Sequence, residues 1–488
     1  MASLLTSLSP DLPMLLDRAA GESLGSQLRR RLLDAIRSGA LRTGVRLPST
    51  RALAAQLGVS RPLVVDAYAQ LAAEGYLALR QGARPVVAGI NSAPALDAPE
   101  QPSADPIRYD LRPAMPDVGM FPRKAWARAI RTALNDLPAS ELGYGDPRGS
   151  LSLRRVVADY VGRVRGVIAD PACIYITSGF AEGRALVCAA FHSRGIRHLA
   201  VEDPSYSDWG AVDKAGLVRL PIPVDAQGLD VDRLVASHAQ AAFVTPAHQF
   251  PIGGVLSAER RQRLVRWLRE RDAYALEDDY DAEFRYDQAP VGALQGLAPD
   301  RIIYAGTVSK TLAPALRLAW LVVPPALIET MNRELRRWSE GTPRIDQEAL
   351  AEIIRSGVYD RHLRRMRRLY RERRDRLVAC LAAALPQLEI EGVAAGLHVT
   401  LRLPDALDEG DVVEALRRRG VATEGLGRYS RTATGPRRLF LGYGRISESA
   451  IEPAVHALVE AIGVAAGRDP APGPAESIAL AGPEVRGL

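Results

Sequence analysis

The chain has 488 residues, 47% hydrophobic and 25% charged, with a formal net charge of +6, enough for two to four domains each with its own core. No apolar run approaches the roughly 18 residues a spanning helix needs, and the opening MASLLTSLSPDLPMLLDR has no basic region ahead of its apolar segment, so a membrane protein is not expected and a cytoplasmic one is. Three cysteines, Cys173, Cys188 and Cys380, lack CxxC spacing, which argues against a disulfide framework or a zinc site and leaves them as expected core residues.

Residues 1–90 hold 11 arginines against 6 acidic residues, so nearly all of the positive excess lies in the first fifth of the chain. A compact basic segment of this size is the electrostatic footprint of a nucleic-acid-binding module, although a chance excess on a soluble domain would look the same. Leu24, Leu28, Leu32, Leu33 and Ile36 recur at helical spacing, which predicts a helix over 24–38. STRALAAQLG predicts a second, capped by Ser49 or Thr50, and RPLVVDAYAQLAAEG a third, with Ser60 as N-cap, Pro62 in the first turn and Gly75 as stop. Helix, tight Gly turn, helix is helix-turn-helix grammar, and YLALRQGARPVVAG reads as two short strands forming a wing. Residues 91–107 are rich in Pro, Ala and Asp and read as a linker. From 108 to 466, short apolar runs (CIYITSG, RHLAVED, AAFVTPA, AYALEDD, RIIYAGT) alternate with helical segments, which predicts an α/β domain with a mixed, mostly parallel sheet. Residues 467–488 are Pro/Gly-rich and read as a disordered tail.

Of 63 basic residues only Lys124, Lys214 and Lys310 are lysine. Arginine cannot lose its proton or condense with an aldehyde, whereas lysine can do both, so Lys310 in GTVSKTLAPALR attracts a chemical reading. Thr307, Ser309, Thr311 and Arg317 surround it with hydroxyls and a guanidinium suited to a phosphate. In ITSGFAEG a strand runs through Gly179 into a helix start, an anion site in form but often a mere turn. Tyr206, after a proline at a strand exit, could stack on a planar ring or simply pack. LEDDYDAEFRY places Glu277, Asp278, Asp279, Asp281 and Glu283 at a strand end, where a carboxylate can hold a pyridine nitrogen protonated. A solvated acidic loop or a metal site is the alternative, the metal disfavoured because the cluster holds no His. Together the four segments specify pyridoxal 5'-phosphate (PLP).

With these residues in view, the chain from about Ser23 to Val464 resembles the MocR subfamily of GntR-type transcription regulators, which join a winged helix-turn-helix to a fold-type I aminotransferase-like domain. The resemblance rests on GVRLPSTRALAAQLGVSRPLVVDAYAQLAAEGYL and then, in family order, FP at Phe121, YGDPRGSLSLRRVVADYV, VEDPSY, TPAHQFPIGG, EDDYDAEFRY, SKTLAPALR and YDRHLRRMRRLYRERRD. It implies that Lys310 forms a Schiff base with PLP. Asp278 would pair with the pyridine nitrogen, Asp279 being the competing choice, and Tyr280 with the phenolic oxygen. Tyr206 would stack on the ring, with His248 and Gln249 at its far edge. Gly179, Phe180, Ala181, Thr307, Ser309 and Arg317 would hold the phosphate, with Tyr144 reaching in from the other subunit of a head-to-tail homodimer. On double-stranded DNA, Arg51, Ser60 and Arg61 would lie near phosphates and bases, and Arg80 and Arg84 of the wing near the minor groove or backbone.

Three departures stand out. Leu63 replaces a usual Thr, QGARPVV replaces a GSGTFV-like wing turn, and Phe440 stands where amino-acid-binding relatives carry an arginine for the ligand carboxylate. Either Arg438, two residues earlier on the same strand face, or another arginine substitutes, or the effector is not a plain α-amino acid, PLP itself being one option. Arg361 to Leu377 carries nine arginines beside a Met366, Leu369 and Leu377 stripe, which reads first as a helix with a solvated basic face and second as an extra DNA-backbone contact. Two functions compete with a PLP-dependent regulator: an active aminotransferase tethered to a DNA-binding module, and a repressor whose body only dimerises.

Overall fold

The computed structural model describes residues 16–89, 106–286, 291–337, 339, 341–392, 394–432 and 435–467. Most of the expected linker and nearly all of the expected tail lie outside the described residues. The chain divides into two compact units, 1–103 and 104–488.

The first unit contains helices α1 (Leu24–Arg37), α2 (Thr50–Leu57) and α3 (Arg61–Ala73), followed by the two-stranded antiparallel wing β1 (Leu77–Ala78) and β2 (Val86–Val87). Its local grammar is as the residues dictate. The Ser49 hydroxyl accepts the Ala52 N–H at the start of α2, and Gly58 closes that helix at φ +61°, a conformation in which a side chain is strained. Ser60 occupies the N-cap of α3 but its hydroxyl makes no capping bond. Leu28, Leu32, Leu53, Val64, Leu71 and Leu77 form the buried centre, and the Tyr68 hydroxyl donates to the Pro48 carbonyl at 3.1 Å.

The second unit begins with β3 (Tyr109–Asp110), α4 (Arg123–Asp136) and α5 (Leu151–Arg165). An eight-stranded sheet follows, comprising β4 (Ile174–Thr177), β5 (His198–Asp203), β6 (Val218–Asp225), β7 (Gly228–Leu229), β8 (Ala241–Val244), β9 (Tyr274–Asp279), β10 (Ile302–Thr307) and β11 (Ala319–Val322). Their order is β4-β11-β10-β9-β8-β5-β6-β7. The contiguous strands β10, β9, β8, β5 and β6 are parallel, β11 runs antiparallel to both neighbours, and β7 returns as a hairpin on β6. The short strands are continuous apolar runs because helices cover both faces: β4, β8, β10 and β11 are buried at every position. Packed on the sheet are α6 (Phe180–Ser193), α7 (Gly210–Lys214), α8 (Val231–Ala236), α9 (Ala258–Glu270) and α10 (Ile328–Leu335). Helix α11 (Arg344–Arg355) packs on α4, and the 27-residue α12 (Val358–Ala384) leads to a smaller lobe. That lobe holds β12 (Ile390–Glu391), β13 (His398–Arg402), α13 (Glu409–Arg418), β14 (Val421–Ala422), β15 (Glu424–Gly425), β16 (Arg438–Gly442) and α14 (Glu448–Ala465). Of the three cysteines expected in the core, only Cys188 is fully buried; Cys173 and Cys380 are half-buried. No described helix is long and apolar enough to cross a membrane.

Candidate cofactor and DNA-binding sites

A cavity of about 480 Å³ opens where β4, β8, β9 and β10 end at the same edge of the sheet, the position at which open α/β sheets bind ligands. Lys310, three residues beyond β10, lines it beside Asp278, Tyr280, Thr307, Ser309 and Arg317. Burial lowers the Lys310 pKa, with Asp281 and Asp278 working against it, so a larger share of the amine is neutral and nucleophilic.

Strand alternation turns the neighbouring acids of β9 to opposite faces. Glu277 and Asp279 face away from the cavity: Glu277 accepts the Leu294 and Gln295 N–H groups at 2.8 Å each, and Asp279 accepts Arg165 Nε at 2.7 Å and the Tyr304 hydroxyl at 2.8 Å. Asp278 is the one of the three that lines the cavity, and burial first, then repulsion from Asp279, raises its pKa to about 8.

The anion cradle takes its shape from the backbone. Gly179 precedes α6 at φ +85°, and a Cβ there would fall 2.8 Å from Cζ of Arg317. The guanidinium therefore occupies the space that any other residue would fill, and donates to the Ser178 carbonyl at 2.8 Å. Phe180 and Ala181 supply first-turn amides of the kind a helix leaves without internal partners. The Thr307 hydroxyl lies 2.9 Å from that of Ser309 and 3.1 Å from the Leu318 carbonyl. Cradle, amine and carboxylate in one cavity fit an aromatic aldehyde carrying a phosphate.

The other expected residues fall into three places. Tyr206 is on the cavity wall, 39% exposed. His248 and Gln249 are not at its surface. Buried His248 lies behind Tyr280, with Nδ1 3.1 Å from the Tyr280 hydroxyl and 3.0 Å from Asp281, and the Gln249 amide is spent on Glu202 and the Pro204 and Phe250 carbonyls. Tyr144 stands clear of its own chain's cavity, 86% exposed. Arg438 does not reach the cavity: its Nε lies 2.5 Å from Glu391 on β12, and that ion pair holds the side chain along the sheet. Phe440, fully buried, packs with Leu426, Tyr429 and Phe250 instead of leaving room for a carboxylate.

The sequence reading did not single out Arg184. It is 1% exposed, and its guanidinium carbon lies 4.8 Å from the Tyr206 ring, 5.6 Å from Trp209 and 5.9 Å from Phe180. Among the described residues its Nε and Nη1 have no hydrogen-bond partner, and its one ion pair is with Asp208 at 3.4 Å. The available signal was an arginine on the apolar stripe Phe180, Val187, Phe191 of α6. Arg112, Glu424, Arg428 and Tyr429 also line the cavity and were missed, because they come from distant segments with no shared motif.

In the first unit Arg51, Ser60, Arg61, Arg80 and Arg84 are all exposed, and none forms an ion pair among the described residues. Leu63 is half-buried against the domain core, so the outward face of α3 consists of Arg61, Pro62, Val65, Asp66, Ala69 and Gln70. The wing turns at Arg80–Ala83 through Gly82 at φ +76°, with the Ala83 N–H donating to the Arg80 carbonyl.

Comparison with known proteins agrees with both units. Residues 24–87 match the model of bacterial regulatory proteins of the gntR family, and residues 118–455 that of aminotransferase class I and II. The pyridoxine biosynthesis transcriptional regulator PdxR of Corynebacterium glutamicum is 32% identical, covering 90% of this chain and 96% of its own. The probable rhizopine catabolism regulatory protein MocR of Rhizobium meliloti is also 32% identical, over 91% of this chain and 95% of its own. Among solved structures, Pyrococcus horikoshii kynurenine aminotransferase in complex with PMP superposes with a TM-score of 0.66 at 24% identity, covering 74% of this chain and 92% of its own. The α-aminoadipate aminotransferase LysN of Thermus thermophilus, complexed with N-(5'-phosphopyridoxyl)-L-leucine, does so at 0.65 and 25%, over 73% and 92%. With a gntR-type helix-turn-helix, a class I and II aminotransferase domain and regulators of that build alike over nine-tenths of its length, the chain belongs to the MocR subfamily of GntR-type transcription regulators.

Proposed function

We propose that this regulator senses PLP, or an amine or amino acid presented to bound PLP, at Lys310, and that occupancy changes how a cytoplasmic head-to-tail homodimer holds operator DNA. The observation that carries the reading is the single cavity shared by the Lys310 amine, the Asp278 carboxylate and the Gly179–Arg317 cradle. PLP would supply an aldehyde and an electron-withdrawing ring.

The chain's own groups do the rest. Lys310 offers an amine with a lowered pKa, able to condense with an aldehyde. Asp278 would keep a proton on the pyridine nitrogen, Tyr280 would meet the phenolic oxygen, and Tyr206 would cover one ring face. The α6 amides, Thr307, Ser309 and Arg317 would take the phosphate. Tyr144, exposed and away from its own cavity, suits a role in a neighbouring subunit. Apart from Arg317, which this reading gives to the phosphate, the arginines at the wall already face carboxylates: Arg112 is held by Asp110 at 2.7 Å and Arg428 by Glu424 at 3.4 Å. This favours PLP itself over a plain α-amino acid as the effector, and counts against a turning-over aminotransferase.

The test is the visible absorption spectrum of the purified protein with added PLP, then with a panel of amines. Wild type should gain a band that Lys310→Ala lacks, and a band shift with one amine would name an effector class. A protein that stays colourless in excess PLP would sink the sensor and the aminotransferase together.

A further inference from the structure

Helix α12 separates its arginines by face. Tyr359, Leu363, Met366, Tyr370 and Leu377 are buried, and the arginines on that side are engaged: Arg367 donates to the Glu283 carbonyl at 2.9 Å, and Arg373 to the Gly444 carbonyl at 2.6 Å and to Asp117 at 2.8 Å. Arg361, Arg364, Arg365, Arg368 and Arg371 point the other way, at spacings of 3, 4, 7 and 10 residues, and all are exposed. Arg361 makes one long hydrogen bond, 3.4 Å to the Ser356 carbonyl. The other four make no hydrogen bond or ion pair among the described residues.

Some surface arginines elsewhere find carboxylates, as Arg417 and Arg418 do with Glu414, Arg260 with Asp225 and Arg219 with Asp213, and others such as Arg128, Arg131 and Arg155 find none among the described residues; what sets α12 apart is five exposed arginines on one helical face. Like charges at positions i and i+4 destabilise a helix by about 0.2–0.5 kcal/mol a pair, and this stripe contains two such pairs, 361 with 365 and 364 with 368. Of the nearest acids, Asp360 is held by Arg163 at 3.0 Å, and Glu372, four residues past Arg368 on the same face, forms no ion pair among the described residues and offsets only the far end of the stripe. At the near end Arg361 and Arg365 flank a shallow cleft whose opposite wall, Gly119 to Pro122, leads directly into the exposed Arg123 and Lys124 of α4.

We propose that this face binds the phosphate backbone of double-stranded DNA, as a second contact additional to the helix-turn-helix. The proposal rests on the reading of the chain as a DNA-binding regulator. Ten residues of helix span about 15 Å, the axial length of roughly four base-pair steps. The stripe has no exposed aromatic or large apolar residue within it, so it offers neither the insertion face of a membrane-surface helix nor the anchors of a protein interface. Point charges without base-reading partners give an affinity that depends on salt and not on sequence. DNA held by the first unit raises the local concentration of phosphate near the second.

The experiment uses the full chain and a variant carrying R361Q, R364Q, R365Q and R368Q together. Glutamine has a helix propensity close to that of arginine and removes the repulsion, so the variant should melt no lower than wild type. Affinity for a long mixed-sequence duplex is measured over a series of KCl concentrations. The expected result is a slope of log affinity against log salt shallower by about 2–4 in the variant, at about 0.9 per lost phosphate contact. An unchanged slope overturns the proposal, whether the variant then proves to have lost binding to anionic lipid vesicles or to have changed its oligomeric state. Wild type that binds no duplex even at low salt overturns the parent reading with it, so the two failures are told apart.

Discussion

Gly179 carries the most conformationally specific demand in the site. Its φ of +85° and the 2.8 Å approach of Arg317 leave no room for a side chain. Gly179→Ala should therefore displace the guanidinium and weaken PLP binding by about tenfold or more, in line with strain of roughly 1–3 kcal/mol; titration followed by absorbance checks this, and unchanged affinity would contradict the cradle. Asp278 gives a pH signature. Its pKa is raised from the ordinary 3.8 to about 8, so between those values the folded protein binds a proton that the unfolded chain does not. Stability of the cofactor-free protein must then fall as pH rises through that window. Asp278→Asn removes the loss, and melts near pH 5 and pH 8 should show the variant gaining at least about 1 kcal/mol over wild type at the higher pH. A parallel pH dependence would contradict it. Phe440→Arg, which by sequence position alone would restore a carboxylate site, should instead destabilise by about 3–5 kcal/mol, because an unpaired charge would replace a fully buried ring; a denaturant melt measures it.

Elements explain which residues could be read in advance. Lys310 was legible because a lysine in an arginine-rich chain is a chemical choice, and the Gly179 turn because strand, glycine and helix start are contiguous in sequence. Whether Asp278 or Asp279 faces the cavity waited on the orientation of β9, since alternation says only that neighbours face opposite ways. Arg438 looked equivalent to position 440 by the same rule, but Glu391 on β12, remote in sequence, captures it. His248 lies one layer behind the cavity wall, at the back of Tyr280, because a motif gives order along the chain and not depth. On α3, the unusual Leu63 turns to the core and so lies off the outward face. Arg61→Ala at the start of that face should weaken DNA binding across sequences and reduce the salt slope by about 1, read by anisotropy over a KCl series.

At the scale of the whole molecule, two compact units in one chain imply that ligand binding stabilises one of them directly. PLP at 100 times its dissociation constant adds about 2.7 kcal/mol to the unit that binds it. Calorimetry should therefore show the larger unit's transition moving up with PLP while the helix-turn-helix transition stays, and Lys310→Ala should abolish most of the shift. Sensing requires more than stabilisation, because an effector moves an equilibrium only by the difference in its affinity for two states. The most direct measurement is the anisotropy of a labelled duplex, selected in vitro by the protein itself, titrated with wild type and with Lys310→Ala in the presence and absence of PLP. The account predicts that PLP changes the wild-type affinity by about fivefold or more and leaves Lys310→Ala unmoved; equal wild-type affinities with and without PLP, or a shift that survives in the variant, would contradict it.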